Sequence, residues 1–347
     1  MLRATIQKLE LKFITPGQTS RGTLYNKPSW FFILENDGHR GMGECSVIPG
    51  LNPEYDHTYE NRIYQVAEQI NRGNLPTLSS LDHYPSIRFG LETALADLAQ
   101  AQPGILFPSA FTRGDQGIAI NGLIWMGSKE EMQQRISEKL NQGFKVLKLK
   151  VGALDFREEL SLLQAIRSQF SESELEIRLD ANGAFGPAEA LEKLKRLSEF
   201  HIHSIEQPIK PGQWETMAHL CKTSPIPIAL DEELIGLIAT EQKQQMLATI
   251  QPQYIILKPS LLGGPDHSLQ WIQMAENTNA GWWVTSALES NVGLNAIAQW
   301  VFVQNPSMVQ GLGTGQVFSN NLPSPLELRG PRLYFNPDRT FSTDELN

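Results

Sequence analysis

Residues Phe144-Lys145-Val146-Leu147-Lys148-Leu149-Lys150-Val151 decide how the chain is read. With a period of two this is a strand, with Val146, Lys148 and Lys150 on one face and Leu147, Leu149 and Val151 on the other. Alone, alternating lysines fit an edge strand turned to water. The strand-like runs that follow change that reading, because each ends on a charged residue: Glu176–Asp180, His203–Glu206, Ile228–Asp231 and Ile255–Lys258. Lys148, Lys150, Asp180, Glu206, Asp231 and Lys258 therefore collect at the C-terminal ends of successive strands.

Outward from this stretch, strand cores recur near Ile118–Leu123, Val146–Val151, Glu176–Asp180, Ile202–Glu206, Pro227–Asp231, Tyr254–Lys258, Trp282–Ser286 and Met308–Gly311. Helical stripes such as Glu158–Gln169, Pro187–Glu199 and Gln242–Thr249 fill the gaps, and Pro187 after Gly186 suits a first helical turn. Eight such units predict a (β/α)8-type barrel, over residues 111–316. An open doubly wound sheet is the alternative, but no G-x-G-x-x-G run supports it.

Residues 1–110 predict an α+β capping domain. Its strands are Ile6–Phe13, Ser29–Asn36 and Gly41–Cys45, with a hairpin turn at Asn36-Asp37-Gly38, and its helices are Tyr55–Asn71 and Pro85–Ala101. Thr15–Lys27, rich in Gly, Ser, Thr and Asn, reads as a loop, as does Val47–Pro53. The tail, 317–347, is expected to pack back on the cap and complete it, with Arg332–Phe335 as a strand-like piece.

The 347 residues are 41% hydrophobic and 19% charged, which suits an enzyme with a large core. A net charge of -9 argues against a nucleic-acid surface. Cys45 and Cys221 match no metal or redox spacing. No apolar run approaches a membrane helix, and the N-terminus alternates like a strand, so a reducing cytoplasm is the expected home.

In a barrel of this kind the active site lies at the C-terminal face. Three carboxylates converging there from Asp180, Glu206 and Asp231 cannot all stay ionised uncompensated: one takes a proton, or a cation sits among them. Oxygen ligands without nearby His or Cys favour Mg2+ over Zn2+. Glu232 and Glu233 follow Asp231 directly and are rivals for its place. His201 and His203 lie at the opposite end of a strand, and capping accounts for Asp266. Lys148 and Lys150 face Lys258 across the barrel mouth. A lysine acting as a base needs its pKa lowered by about three units from about 10.4. This set suits removal of a proton α to a carboxylate, with charge stabilisation of the enediolate. A Schiff-base lysine would not need the three acids.

With these residues the chain resembles the enolase superfamily, and within it the muconate-lactonizing-enzyme subgroup. The motifs are Lys148-Leu-Lys150, Asp180-Ala-Asn182, Glu206-Gln-Pro208, Asp231-Glu232 and Lys258-Pro-Ser-Leu-Leu-Gly-Gly264. The resemblance implies that Asp180, Glu206 and Asp231 bind Mg2+, with Mn2+ able to substitute. It makes Lys150 the acid/base catalyst, Lys148 its tuning neighbour, and Lys258 a cation over the opposite face of the substrate. Arg178-Leu-Asp180-Ala-Asn182 and Ser286-Ala-Leu-Glu289-Ser are most similar to the subgroup's dehydratase. That lyase of menaquinone biosynthesis converts 2-succinyl-6-hydroxy-2,4-cyclohexadiene-1-carboxylate to an aromatic product by syn elimination. The implied partner is a small anionic carboxylate, neither nucleic acid nor membrane; monomer or homo-oligomer is left open. Candidate substrate contacts are Arg178, Ser286, Gly313 and Arg21, the last in the first cap loop; for Ser286 a helix cap is the other reading. Muconate cycloisomerase, N-succinylamino acid racemase and dipeptide epimerase share the scaffold. Dipeptide epimerases usually carry an Asp-x-Asp where this chain has Gly313-Thr314-Gly315.

Overall fold

The computed structural model describes residues 1–19, 22–100, 102–125, 127–315 and 317–339. The chain opens with an antiparallel sheet of β1 (Arg3–Thr19), β2 (Gly22–Asn36) and β3 (His39–Ser46), followed by α1 (Tyr59–Asn71) and α2 (Pro85–Leu98). The β2–β3 turn places Asp37 at φ 50° and Gly38 at φ 83°. Two successive left-handed residues match the right-handed twist of the paired strands. Gly41 and Gly43 on β3 face α2, where a Cβ on either would run into the helix backbone at Ala94 or Gly90. The missing side chains let helix and sheet pack backbone to backbone.

The described residues of Thr15–Lys27 do not form the expected loop. Strands β1 and β2 run through them, with pairs Gly17↔Leu24 and Gln18↔Thr23 beyond a shift in register between Lys12 and Gly17. Backbone pairing across the hairpin outweighs the polar, Gly-rich composition that reads as a loop. Ser29–Leu34 is buried on both faces.

Strands β4 (Ile118–Ala119) and β5 (Gly122–Ile124) come next, where one strand was expected. They are followed by β6 (Val146–Lys150), β7 (Glu176–Asp180), β8 (Ser204–Glu206), β9 (Ile228–Leu230), β10 (Tyr254–Leu257) and β11 (Gly281–Val284). The seven strands β5 to β11 form one parallel sheet in chain order. The eighth position is filled by single bridges, Gln310 to Ile120 and Gly311 to Thr285, which link the two ends of that sheet. A Cβ on Gly311 would meet the Thr285 hydroxyl at 2.5 Å, so this crossing needs glycine. Leu147 and Leu149 of β6 pack outward in the core beneath the helices, leaving Lys148 and Lys150 to point into the barrel.

The cap is fastened to the barrel by buried polar contacts. Arg88 of α2 pairs with Asp82 (3.1 Å), Glu92 (2.9 Å) and Asp266 (2.8 Å) and donates to the Gly263 carbonyl. Asp266 is thus an ion-pair partner rather than a helix cap. Glu44 of β3 accepts from the Ser290 and Gly293 backbone N–H groups, both at 3.0 Å, at the start of the helix Asn291–Val303. A carboxylate there satisfies exposed N–H donors and the positive end of the helix dipole.

The tail divides. Residues 317–319 run beside β1, with Ile14 donating to Val317 at 2.9 Å and Phe13 packed on Phe318 at 4.7 Å. Strands β12 (Leu326–Arg329) and β13 (Arg332–Phe335) instead form a sheet with β4 at the foot of the barrel. Pairing of Leu333 with Ile118 gives the apolar face of this hairpin its partner there, away from the cap.

Candidate active site

The register of the parallel sheet brings the charged strand ends together. Lys150 lies beside Asp180, and Asp180 beside Glu206. Lys148 Nζ bridges Asp180 Oδ2 at 2.8 Å and Glu206 Oε2 at 2.6 Å. Lys150 Nζ donates to the same Asp180 oxygen at 2.6 Å and to Asn182 Oδ1, while Lys258 Nζ pairs with Asp231. Lys148 and Lys150 stand on the second strand of the sheet and Lys258 on the sixth, so the ammonium groups approach from opposite sides. The backbone turns sharply at these ends: Asn182 (φ 44°), Gln207 (φ 39°) and Leu288 (φ 60°) are all left-handed. Such conformations cost energy and collect at functional sites.

Asp180, Glu206 and Asp231 are buried. Burial would lower the Lys148 pKa, but Asp180, Glu206 and Asp231 outweigh it and hold the ammonium form well above the usual lysine range. Burial is likewise outweighed at Lys258 by Asp231, Glu206 and Glu232. Asp180 goes the other way: its burial penalty is overcome by Lys148 and Lys150, which keep it ionised. Glu206 is pushed up by burial and by Asp180 and Asp231, against the pull of Lys148 and Lys258.

Among the described residues, no group of three or more acid, His or Cys side chains converges closely enough to hold an ion as it stands. Lysine ammoniums lie between the carboxylates instead. The donor set still fits a hard divalent cation. It is all carboxylate oxygen, it comes from three adjacent strands, and the buried Glu206 Oε1 has no hydrogen-bond partner. Asp180, Glu206 and Asp231 are the residues that would hold such a cation.

These groups form one end of a cavity of about 180 Å³ under the cap. Lys148, Lys150, Asp180, Asn182 and Lys258 line it, together with Ser286 and Gly313. The opposite wall is apolar and includes Leu24 from the first hairpin, Ile48 and Leu51 from the second cap loop, and Trp125. Leu24, Ile48 and Leu51 fall in the two cap segments that the sequence marks as loops, Thr15–Lys27 and Val47–Pro53, whereas Trp125 carries no sequence signal. Ser286 donates to Glu289 Oε2 and accepts from the Leu288 N–H, and the helix beyond is capped by Ser290. Arg178 does not reach the cavity. Its guanidinium donates to Glu176 (2.7 Å) and the Val309 carbonyl (2.9 Å) and stacks on Trp283, inside the barrel below the charged cluster. Arg21 lies outside the described residues. Glu232 accepts from Asn182 at 3.0 Å, whereas Glu233 holds Gln207 and the Gly212 N–H. His203 stacks on Tyr254 beside Glu176, at the far end of β8.

Residues 131–334 match the model of the enolase C-terminal domain-like family, and the chain belongs to that family. Its similarity is more specific than the fold. It is 48% identical to o-succinylbenzoate synthase of Desulfotalea psychrophila, over 96% of this chain and 98% of that one. The crystal structure of MenC from the same organism superposes with a TM-score of 0.86 at 46% identity, covering 96% of this chain and 99% of the other. Muconate lactonizing enzyme from Pseudomonas fluorescens, at 21% identity, shares the fold over 100% of this chain and 97% of its own, with a TM-score of 0.80. The superfamily resemblance read from the strand-end motifs is thereby borne out. Among the described residues no helix is long and apolar enough to cross a membrane.

Proposed function

We propose that this protein is an o-succinylbenzoate synthase, a carbon–oxygen lyase of menaquinone biosynthesis. Its substrate would be 2-succinyl-6-hydroxy-2,4-cyclohexadiene-1-carboxylate. The observation that carries the chemistry is the placement of Lys148 and Lys150 opposite Lys258, with Asp180, Glu206 and Asp231 on the strands between. The high identity to the Desulfotalea enzyme over nearly the whole chain supports the choice of reaction.

Superfamily members depend on a divalent metal, and Asp180, Glu206 and Asp231 are the residues that would hold Mg2+, or Mn2+ in its place. When bound, the ion supplies positive charge to the substrate carboxylate as it gains enediolate character. Lys150 takes the α proton, and the C–H electron pair passes into the enediolate. The C–O bond of the ring hydroxyl then breaks, and Lys150 returns its proton so that water leaves. One side chain on one face performs both transfers, which accounts for a syn elimination. Lys258, held as an ammonium by its carboxylate neighbours, faces the other side of the ring and steadies negative charge there. Asn182 positions the Lys150 amine through its side-chain oxygen. A cytoplasmic location agrees with this biosynthetic role.

Lys258 also gives a second reading, as the opposing acid/base of an N-succinylamino acid racemase. The two are separated by offering the enzyme the cyclohexadiene acid and an N-succinylamino acid in deuterated water. Fast aromatisation of the first, with slow α-proton exchange in the second, is the expected result. Rapid exchange and interconversion of both enantiomers, without aromatisation, would overturn it.

A further inference from the structure

Glu289 is a fully buried carboxylate to which the chemistry above gives no part. Its two oxygens face two different loops of the barrel mouth. Oε1 accepts from the Ser260 hydroxyl, two residues after Lys258. Oε2 accepts from the Ser286 hydroxyl at 2.5 Å and from the Ala287 N–H at 2.8 Å, and Ser286 in turn accepts from the Leu288 N–H at 3.0 Å. Burying a carboxylate is costly unless its oxygens are hydrogen-bonded, and here three donors meet that need. Among the described residues lining the cavity are Lys258 and Ser286, but not Glu289, which stands behind them.

Strands β10 and β11 pair in parallel as far as Leu257 and Val284, and the Thr285 N–H donates to the Leu257 carbonyl at 2.9 Å. The next N–H, that of Ser286, turns instead to Gly311 on the other side, at 3.3 Å. Lys258 and Ser286 therefore lie just past the point where the ladder ties the two chains together. The backbone also leaves the strand conformation there: Lys258 opens the four-residue helix Pro259–Leu262, and Leu288 is left-handed at φ 60°. The Ser260–Glu289–Ser286 bridge carries the connection beyond the ladder. Its base is anchored, because Glu44 of the cap holds the neighbouring Ser290 through its N–H at 3.0 Å and its hydroxyl at 2.5 Å. We propose that Glu289 is a positioning residue for Lys258: by fixing Ser260 it sets the turn from which the lysine reaches the substrate, while its other oxygen sets the cavity wall at Ser286. This rests on the synthase reading above, in which Lys258 opposes Lys150 across the substrate.

The test cuts the two arms of the bridge one at a time and follows steady-state dehydration by the Mg2+-loaded protein. Ser260→Ala removes the arm to Lys258 and should lower kcat by about tenfold with KM nearly unaltered, because the charge that Lys258 steadies develops in the transition state. Ser286→Ala removes the arm to the wall and should raise KM by about fivefold with kcat nearly unaltered, as expected for loss of binding common to ground and transition states. Glu289→Ala should show both changes together, and the serine variants read each arm even where that deletion lowers the yield of folded protein. Each serine variant takes one hydroxyl from the same carboxylate, so a link that only staples the fold predicts like effects on the unfolding midpoint and no split between kcat and KM. Wild-type kinetics in both serine variants, or the same change of kcat and KM in both, would overturn the positioning role while leaving the synthase reading intact. A wild-type protein that does not aromatise the substrate would overturn both.

Discussion

Lys150→Ala should reduce the rate of aromatisation by about 10³- to 10⁴-fold, because one deletion removes both the base and the acid of the elimination. The fold should survive the change. Asp180, the buried partner of Lys150, keeps Lys148 at 2.8 Å, so no carboxylate is left without a cation. Circular dichroism and the midpoint of thermal unfolding should stay close to wild type, while single-turnover kinetics show no fast phase. The loss should fall on kcat rather than KM, since the proposed mechanism holds the substrate carboxylate at the acid side of the site and not at Lys150. A Lys150→Ala variant within tenfold of wild type would reject this lysine as the proton carrier and turn attention to Lys148 or Lys258.

Glu206→Gln should separate folding from catalysis in a different way. The side chain is 2% exposed and pushed toward its neutral form by burial and by Asp180 and Asp231. An amide of the same shape removes that electrostatic conflict, so the metal-free variant should be at least as stable as the metal-free wild type. The same amide removes one negative ligand oxygen from the set offered to a divalent ion. The Mg2+ concentration needed for half-maximal activity should rise by on the order of a hundredfold, with activity low below it. Mg2+ should also raise the unfolding temperature of wild type far more than that of the variant, by linkage of binding to folding. Unchanged Mg2+ dependence in both measurements would place the ion elsewhere.

The cluster of lysines and carboxylates was legible because a parallel barrel strand has a period of two and ends at a fixed face. Lys148, Lys150, Asp180, Glu206, Asp231 and Lys258 all occur at that end of their strands. The same periodicity explains why Arg178 falls outside the cavity. It shares the inward face with Asp180 but sits two residues earlier, about 7 Å down the barrel. There Glu176, Trp283 and the Val309 carbonyl absorb it. The first hairpin was read as a loop since its composition is polar, and pairing between Gly17 and Leu24 is a non-local fact that composition does not record. The last barrel strand shrank to two bridges for a similar reason: close approach at Gly311 depends on Thr285, which is distant in sequence.

Metal-assisted dehydration at this cluster of lysines and carboxylates is tested most directly by a steady-state assay of the wild-type protein on the cyclohexadiene substrate, with Mg2+ and again with excess EDTA, following the absorbance of the aromatic product. Rapid aromatisation that EDTA abolishes and added Mg2+ restores is the predicted result. No turnover with Mg2+ present, or turnover indifferent to EDTA, would contradict it.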